Sequence, residues 1–359
     1  MQPASGELPL VSVVIPVFNE ARYIARCLQS VLGQDYPPDR YEVVVADGGS
    51  TDGTRELIAE LGAGRSVRVI DNPGRTQASG LNLAIAAGTG DVIARQDGHA
   101  AWSPRHLRRS VELLLETGAD CVGGQADGVG DGPWGEAIAA AMHSPMGVGG
   151  ARFRYSDRQE EVATAFPGTF RREAFERVGL YNEEFSPHED YELNHRIRQS
   201  GGRIIYTPDI PTRYFVRESL RGLARQYFVY GRAKVRVARH AAGVVRPHHL
   251  AAPAFVVGVA TSPVLMVSSR GRRLTAGVGV VYAALCLAAA TKVARRDNLG
   301  STVRVAVVFP VLHLSWGAGF WAGVAEIARG RSFGDAGAPV LPARTRQPDA
   351  SGLAQAPPG

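Results

Sequence analysis

Residues 41–54 read YEVVVADGGSTDGT, an apolar run that ends in an acidic, glycine-rich turn and continues into a helical pattern. The continuous apolar residues Val43, Val44 and Val45 predict a strand that is buried on both faces, as in a parallel sheet. The pattern after the turn predicts a helix over 54–61. This stretch therefore predicts one strand and one helix of an α/β fold.

The same alternation of strand and helix continues along the first third of the chain. Strands are predicted at 11–17, 41–46, 67–71 and 91–96, and helices at 20–32, 54–61, 76–87 and 104–117. Pro104 occupies the predicted start of the last helix. The alternation predicts a doubly wound, mostly parallel, Rossmann-like sheet whose ligand crevice lies beyond the carboxyl ends of the strands.

The composition excludes several classes of protein. The chain has 359 residues, 45% of them apolar, which is enough for one large domain with an appendage or for two domains. Its three cysteines, Cys27, Cys121 and Cys286, lack metal or redox spacing, which argues against a zinc cluster or a structural disulfide. Residues 1–200 carry 19 basic residues against 28 acidic ones, whereas residues 201–359 carry 21 against 6. The two halves therefore face different surroundings.

Three long apolar segments account for the basic half. They are 250–269, 274–291 and 305–325. Each approaches the ~20 residues that cross a hydrocarbon core of ~30 Å, and the basic residues between them suit the level of the headgroups. We expect three transmembrane helices in a membrane region at 241–330, although a buried helical hairpin in a soluble protein has the same pattern. Pro253 and Pro263 leave the first segment open to a re-entrant or interfacial course.

The two ends of the chain complete the predicted organisation. Residues 1–7 have neither a basic n-region nor an apolar h-region, so we expect no signal peptide and a cytoplasmic first domain over 1–240. Residues 331–359 are rich in Ala, Pro and Gly, which predicts a disordered tail. We expect a multi-pass protein of the inner membrane with no nucleic-acid partner.

Acidic residues follow the predicted strands. The strand ends are 16–20 (PVFNE), 47–54 (DGGSTDGT) and 97–99 (DGH). Carboxylates at such ends suit hydrogen bonds to a base or a ribose, or a divalent cation that carries phosphates. Turn and capping chemistry explains Asp52 better, whereas we assign Asp47 to ligand binding. Asp97 and His99, two residues apart in a turn, can both reach one metal ion.

A second polar motif, SPHEDYE, occupies residues 186–192. Ser186 and Glu189 have the spacing of a capping box, with Pro187 at the first helical position, so the motif can be a helix start alone. Capping leaves Asp190 unexplained. A carboxylate in the first turn of a helix is favoured in its ionised form and can act as a general base towards a hydroxyl group. Upstream, 165–172 predicts a strand whose glycine permits a close approach.

These motifs, in this order and at these separations, resemble glycosyltransferase family 2. The resemblance rests on 13–20, 47–54, Asp97-Gly98-His99 and Glu189-Asp190, and it covers about residues 10–240. It implies the GT-A fold, a nucleotide-sugar donor and inversion at the anomeric carbon. Within the family, 142–155, 188–198 and 225–232 with a short multi-span C-terminus are similar to the subgroup of the succinoglycan-biosynthesis glucosyltransferase. Such enzymes extend a polyprenyl-diphosphate-linked oligosaccharide at the cytoplasmic membrane face.

The resemblance also implies roles for individual residues. Glu20 and Asp47 would contact the nucleoside, with Pro16 and Arg75 also in the donor site. Asp97 would bind Mg²⁺ or Mn²⁺ together with the donor diphosphate. Asp190 would be the catalytic base, and Glu189 would orient the acceptor or the base. His99 stands where the family has a second Asp, so it would be a metal ligand or a contact to the diphosphate. Arg225, Gln226 and Arg232 would clamp the diphosphate, or belong to a basic helix that lies on anionic headgroups.

The sequence therefore predicts a membrane-anchored, metal-dependent glycosyltransferase. Its donor would be UDP-glucose and its acceptor a lipid-linked saccharide, in the synthesis of an exopolysaccharide or another cell-surface glycan. Two alternatives stay open. One is an enzyme that transfers a sugar to polyprenyl phosphate itself, and the other is a non-catalytic membrane scaffold that binds sugar nucleotides.

Overall fold

The computed structural model describes residues 7–240, 245–294, 299–331 and 337–342, which form an α/β domain followed by long apolar helices. The strands are β1 (Val11–Val17), β2 (Tyr41–Asp47), β3 (Val67–Asp71), β4 (Val92–Arg95), β5 (Ala100–Trp102), β6 (Cys121–Gly123), β7 (Ala126–Val129), β8 (Glu160–Glu161), β9 (Gly168–Arg171), β10 (Ile204–Tyr206) and β11 (Thr212–Phe215). The helices are α1 (Ile24–Leu32), α2 (Thr54–Gly62), α3 (Gln77–Ala87), α4 (His106–Thr117), α5 (Gly132–Met142), α6 (Pro145–Val148), α7 (Arg172–Val178), α8 (Glu189–Gln199), α9 (Leu220–His240), α10 (Ala251–Leu265), α11 (Ser269–Val293) and α12 (Leu299–Ala328).

The main sheet is doubly wound and mostly parallel, as predicted. Its strand order is β3-β2-β1-β4-β9-β6-β10-β8, and β5-β11-β7 form a second, smaller sheet. Strand β1 is parallel to both neighbours, in a register that places Val17 opposite Asp47. Strand β9 is antiparallel to β4 and β6. The carboxyl ends of β1, β2 and β4 therefore meet at one end of the sheet.

Successive residues of β2 face two different cores. Val43 and Val45 belong to a core with helices α1 and α4, and Val44 belongs to a second core with helix α3. All three side chains are at most 2% exposed. The prediction of a strand buried on both faces is confirmed, because the two-residue period of a strand sends neighbouring side chains to opposite faces.

Two predicted helix starts are wrong by a few residues. Helix α1 begins at Ile24 and not at residue 20, because Glu20 precedes a turn in which its carbonyl oxygen accepts from the backbone N–H of Ile24 at 2.8 Å. Helix α4 begins at His106, so Pro104 lies before it. The carbonyl oxygen of Pro104 instead accepts a hydrogen bond from the backbone of Asp35 at 2.8 Å, which ties this turn to the loop after α1.

Three helices among the described residues are long and apolar enough to cross a membrane. They span Pro247–Leu265, Ser269–Val293 and Leu299–Ala328, and so contain most of each predicted segment. Pro263 lies inside α10 without ending it. Large apolar side chains on the outer faces of α10 and α11, such as Val264, Leu274 and Val280, are at least 60% exposed. Such a surface suits contact with lipid.

The predicted boundary at residue 240 does not separate two cores. Ile138 of α5 and Leu223 of α9 share one hydrophobic core with Val308 and Leu312 of α12. The catalytic-domain helices are therefore packed directly against a candidate membrane helix.

The predicted disordered tail is packed in part. The carbonyl oxygen of Pro339 accepts a hydrogen bond from the backbone of Leu180 at 2.7 Å, and Leu341 is buried in the core that contains Phe175. The expectation of disorder is therefore wrong for 337–342, because an apolar side chain in this segment finds a place in the core. Residues 332–336 and 343–359 lie outside the described residues.

Glycine allows α12 to pack closely on α9. A Cβ atom at Gly231 of α9 would lie 2.0 Å from the carbonyl oxygen of Trp316, and one at Gly319 of α12 would lie 2.0 Å from that of Phe228. Glycine inside a helix costs about 1 kcal/mol relative to alanine. Contact between the two backbones explains why glycine stands at both positions.

We expect Gly231→Ala to lower the free energy of unfolding by about 1–3 kcal/mol, the usual cost of overpacking. Gly258→Ala in α10 is the matched control, because a Cβ there meets no described atom within 4 Å. Thermal unfolding of the purified proteins in detergent compares the two. If both variants are equally stable, the close packing of α12 on α9 is wrong.

Candidate active site

A cavity of about 1170 Å³ opens beyond the carboxyl end of β4. Its lining includes Asp97 and His99 from the turn after β4, and Glu189 and Asp190 from the first turn of α8. The structure therefore brings together the two polar motifs that lie far apart in the sequence.

A buried arginine joins these two motifs. The Nε atom of Arg95 donates to Oδ1 of Asp97 at 3.2 Å, and its Nη2 atom lies 3.2 Å from Oε1 of Glu189. The amide of Gln77 also donates to Oδ1 of Asp97, at 3.0 Å. Arg95, Asp97 and Glu189 are each at most 5% exposed. A buried charge is costly unless it is paired, so Arg95 holds both carboxylates in fixed positions.

Glu189 has one oxygen atom left over from this ion pair. Its Oε2 atom is buried and has no hydrogen-bond partner among the described residues. Burial raises the pKa of Glu189 above its usual value, against the lowering effect of the Arg95 charge. A buried acceptor without a partner fits a site completed by a ligand hydroxyl group or a cation.

His99 pairs with Glu20. Its Nδ1 atom lies 2.9 Å from Oε1 of Glu20. Burial lowers the pKa of His99, but the Glu20 hydrogen bond and the negative charge of Asp97 outweigh burial, so the pKa is raised overall. A raised pKa favours imidazolium, which is a ligand for phosphate oxygens and not for a metal ion. The geometry therefore places Glu20 against His99. The two roles implied for His99, metal ligand or contact to the diphosphate, stay predictions.

Asp97 fits a magnesium or manganese ion that the substrate itself helps to hold. No group of three or more His, Cys, Asp or Glu side chains in the described parts of the chain could form a metal cage. Mg²⁺ is commonly held by one or two carboxylates together with substrate phosphates. The hydrogen bonds that Asp97 accepts from Gln77 and Arg95 both end on Oδ1. Coordination of the ion by the Asp97 carboxylate together with substrate phosphates is thus compatible with this geometry.

Helix α8 does not begin with the predicted capping box. Its N-cap is His188, which has a positive φ of 92° and makes no side-chain capping bond, and the first helical residue is Glu189. Ser186 and Pro187 lie before the helix because Nε2 of His188 is held 3.0 Å from the carbonyl oxygen of Tyr230. Asp190 therefore lies in the first turn of α8.

One face of α9 also lines the cavity. Gln226, Tyr230 and Lys234 recur every four residues along it, and all three are in the lining. The Nζ atom of Lys234 lies 3.3 Å from the ring centroid of Tyr191. Burial lowers the pKa of Lys234 to about 7, against the raising effect of Asp190. The sequence shows this four-residue spacing, but only the packing of α9 tells which face meets the cavity.

Turn chemistry explains Asp52, as predicted. Its Oδ1 atom accepts from Oγ1 of Thr54 at 2.6 Å, and its Oδ2 atom accepts from the backbone of Ala21 at 3.0 Å. The loop after β1 is fastened in the same way to the turn after β2, since the backbone of Asn19 donates to Oγ of Ser50 at 2.9 Å. These bonds fix the two loops relative to each other.

The other predicted donor-site residues are outside the lining of the cavity. Asp47 is buried at the end of β2, where it accepts from Oγ of Ser50 at 2.6 Å. The guanidinium group of Arg75 lies over Gly49 in the same turn, and Pro16 packs against Gly80 of α3. The roles of Asp47, Arg75 and Pro16 towards the nucleotide stay predictions.

Known proteins share this sequence and architecture. The family model for glycosyl transferase family 2 matches residues 12–179. The chain is 36% identical over 335 residues to the succinoglycan biosynthesis protein ExoA of Rhizobium meliloti, and the match covers 91% of this chain and 99% of that protein. The chain belongs to glycosyltransferase family 2. The family relationship confirms an enzyme of polysaccharide or glycan biosynthesis, which argues against a non-catalytic scaffold.

Two further comparisons concern lipid-linked glycans and the fold. A dolichyl N-acetylglucosaminyl phosphate glucuronosyltransferase of Methanococcus voltae is 29% identical over 233 residues, which are 62% of this chain and 72% of that enzyme. A mannosyltransferase of Pyrobaculum calidifontis, solved with GDP-Man and Mn²⁺, superposes with a TM-score of 0.63 at 22% identity over 89% of this chain and 88% of that one. The GT-A fold is thereby confirmed.

In this family 2 glycosyltransferase, neither Arg225 nor Arg232 lines the cavity. Arg232 lies 3.5 Å from Oε1 of Glu326 on α12, an ion pair between α9 and a candidate membrane helix. Arg225 and Arg232 do not share the four-residue spacing of Gln226, Tyr230 and Lys234, so they lie on other faces of α9. The structure does not support a diphosphate clamp by Arg225 and Arg232.

Proposed function

We propose that this chain is a membrane-bound, metal-dependent, inverting glycosyltransferase. It moves glucose from UDP-glucose to a polyprenyl-diphosphate-linked saccharide during the synthesis of an exopolysaccharide or another cell-surface glycan. One observation carries the proposal. A single cavity is lined by Asp97, Glu189 and Asp190 and also by side chains of α10, α11 and α12, so an acceptor held in a membrane has a route to the catalytic carboxylates.

The relatives support the same classes of substrate. The succinoglycan biosynthesis protein acts, by its name, in the assembly of an exopolysaccharide, and the Methanococcus voltae enzyme acts on a dolichyl phosphate-linked sugar. The Pyrobaculum calidifontis structure contains a nucleotide sugar and Mn²⁺. Nucleotide sugar, divalent cation and lipid-linked acceptor are therefore each represented among similar proteins.

The reaction is a single displacement. Asp190 accepts the proton of the acceptor hydroxyl group, the freed oxygen attacks the anomeric carbon, and the bond to the nucleoside diphosphate breaks with its electron pair on the leaving oxygen. Asp97 would hold Mg²⁺ or Mn²⁺, which supplies positive charge to the departing diphosphate. Arg95 positions Asp97 and Glu189, and His99 would contact a phosphate oxygen of the donor.

The same geometry favours a saccharide acceptor over polyprenyl phosphate. A sugar hydroxyl group holds its proton at neutral pH and needs a base, whereas a phosphate monoester is already ionised and needs none. Asp190 in the first turn of α8 provides that base.

We further propose that the chain is a multi-pass protein of the inner membrane with residues 1–240 in the cytoplasm. The three apolar helices support the membrane location. Arg270, Arg272 and Arg273 near the start of α11 suit the level of the headgroups in either orientation of the spans.

A panel of labelled nucleotide sugars tests the proposed function. Membranes that contain the chain should incorporate label from UDP-glucose into an organic-solvent extract, and mild acid should release an oligosaccharide. Release of a labelled monosaccharide alone would instead indicate a polyprenyl-phosphate sugar synthase. If none of the nucleotide sugars labels the lipid extract, a lipid-linked acceptor is excluded.

A further inference from the structure

The cavity has a second end within the candidate membrane helices. Phe255 of α10 stacks on Tyr282 of α11 at 4.5 Å between ring centroids, and both rings belong to the cavity lining together with Trp316 of α12. The hydroxyl group of Tyr282 lies 2.7 Å from Nδ1 of His313, whose Nε2 lies 2.8 Å from the carbonyl oxygen of Met146. Aromatic side chains from all three helices thus form one wall of the space that contains Asp190.

Basic side chains line the cavity as well. Arg198 of α8, Lys234 of α9 and Arg246, just before α10, all belong to the lining. Lys234 covers the ring of Tyr191, another lining residue, with its Nζ atom 3.3 Å from the ring centroid. Burial raises the pKa of the Tyr191 phenol, whereas the charges of Arg246 and Arg198 lower it. The charges of Arg246 and Arg198 also lower the pKa of Lys234, after burial, whereas Asp190 raises it. All three basic side chains therefore share the cavity lining with Asp190.

Part of this positive charge has no protein partner. The Nε atom of Arg198 and the Nη1 atom of Arg154, another lining residue, are buried without a hydrogen-bond partner among the residues that the structure describes. Leaving such a donor unpaired is costly, and more so for a charged group. An anion with several oxygen atoms would satisfy these donors, and a diphosphate also balances the charge of three cations.

We propose that Arg198, Lys234 and Arg246 hold the diphosphate of a polyprenyl-diphosphate-linked acceptor, while its prenyl chain lies against Phe255, Tyr282 and Trp316. The inference rests on the proposed function and adds the acceptor site to it. The order of groups in such a lipid matches the cavity, with the chain among the membrane helices, the diphosphate at the cations and the sugar beside Asp190. We assign the donor diphosphate to Asp97. Arg246, in contrast, lies directly before the Pro247–Leu250 turn that precedes α10, and so it is next in the chain to the candidate membrane helices.

The test measures binding of geranylgeranyl diphosphate to the full chain in nanodiscs. Arg246 is exposed, so Arg246→Gln should fold normally. We expect this variant to bind the lipid at least 10-fold more weakly, the usual loss for a charge-assisted hydrogen bond, and to bind UDP with Mn²⁺ as the unchanged protein does. Arg239→Gln, which removes the same charge from an exposed position outside the cavity lining, should change neither affinity.

A second pair of variants tests the prenyl chain. Phe255→Ala should weaken binding of geranylgeranyl diphosphate but not of inorganic pyrophosphate. Leu274→Ala, at a 60% exposed position on α11 outside the lining, should affect neither ligand. Equal affinities of Phe255→Ala and Leu274→Ala for the lipid would overturn the assignment of the aromatic wall.

Four outcomes overturn the diphosphate site or separate it from the proposed function. Equal lipid affinities of Arg246→Gln and Arg239→Gln overturn it, and an equal loss of UDP affinity in Arg246→Gln assigns the cations to the donor instead. If the nucleotide-sugar panel labels a lipid while Arg246→Gln binds geranylgeranyl diphosphate normally, the inference fails and the function stands. If the lipid binds as expected but the panel labels no lipid, the function fails and the binding site stands.

Discussion

Asp190→Asn is expected to lower sugar transfer by roughly 10²–10⁴-fold, the usual contribution of a general base, with little change in donor affinity. The substitution keeps the size of the side chain but removes its ability to accept a proton. Asp190 lies in the first turn of α8 and lines the cavity, so the asparagine can occupy the same place. Initial rates at saturating nucleotide sugar and acceptor, together with donor affinity, measure the effect.

Asp209→Asn is the matched control for this substitution. The Asp209 side chain is 60% exposed and is not part of the cavity lining, so its transfer rate should equal that of the unchanged protein. If Asp190→Asn turns over as fast as Asp209→Asn, Asp190 is not the base.

Removal of divalent cations is expected to lower transfer by about 100-fold or more. The reason is that positive charge at the departing diphosphate is worth several kcal/mol, and each 1.36 kcal/mol changes the rate about tenfold. EDTA should abolish transfer, and Mg²⁺ or Mn²⁺ should restore it. Asp97→Ala should lose donor affinity as well as rate, because the cation binds together with the diphosphate.

Asp97→Asn separates metal binding from local structure. Its side-chain oxygen still accepts from Gln77 and Arg95, as Oδ1 of Asp97 does. We expect this variant to need a much higher concentration of Mn²⁺ for half-maximal rate. Full activity in the presence of chelator would contradict the metal site. It would show that His99 and arginine residues bind the diphosphate without a cation.

The long strands could be predicted from the sequence because their signal is local. Strands β1 and β3 have the predicted bounds. Strand β2 ends one residue later than predicted, and β4 is one residue shorter than predicted at each end. Short strands such as β8 (Glu160–Glu161) have no apolar run. Strand β8 forms by pairing with β10, which is distant in the sequence. The residues of β8 alone do not reveal that pairing.

The candidate site could be predicted in part. The motifs at 97–99 and 189–190 line the same cavity, as expected if both serve one reaction. Arg95 lies inside a predicted strand, and the sequence gives no sign of its role. Its contact with Glu189 depends on the placement of α8, which only the structure shows. The pairing of His99 with Glu20 likewise depends on two loops that meet only in the fold.

The role of the C-terminal helices in the site required the structure. Hydropathy predicts that three segments can cross a membrane, but it does not give the faces that they present to the rest of the chain. The glycines of α9 and α12 allow these helices to touch, and that contact brings Trp316 into the same cavity as Asp190.

The anomeric configuration of the transferred sugar tests the single-displacement account. The purified chain is incubated with the α-linked nucleotide sugar selected by the panel and with lipid-linked acceptor, and the new linkage is assigned by NMR of the released oligosaccharide. One base and one displacement predict a β linkage. An α linkage would require a second displacement or front-side attack, and would contradict the assignment of Asp190 as the base of an inverting enzyme.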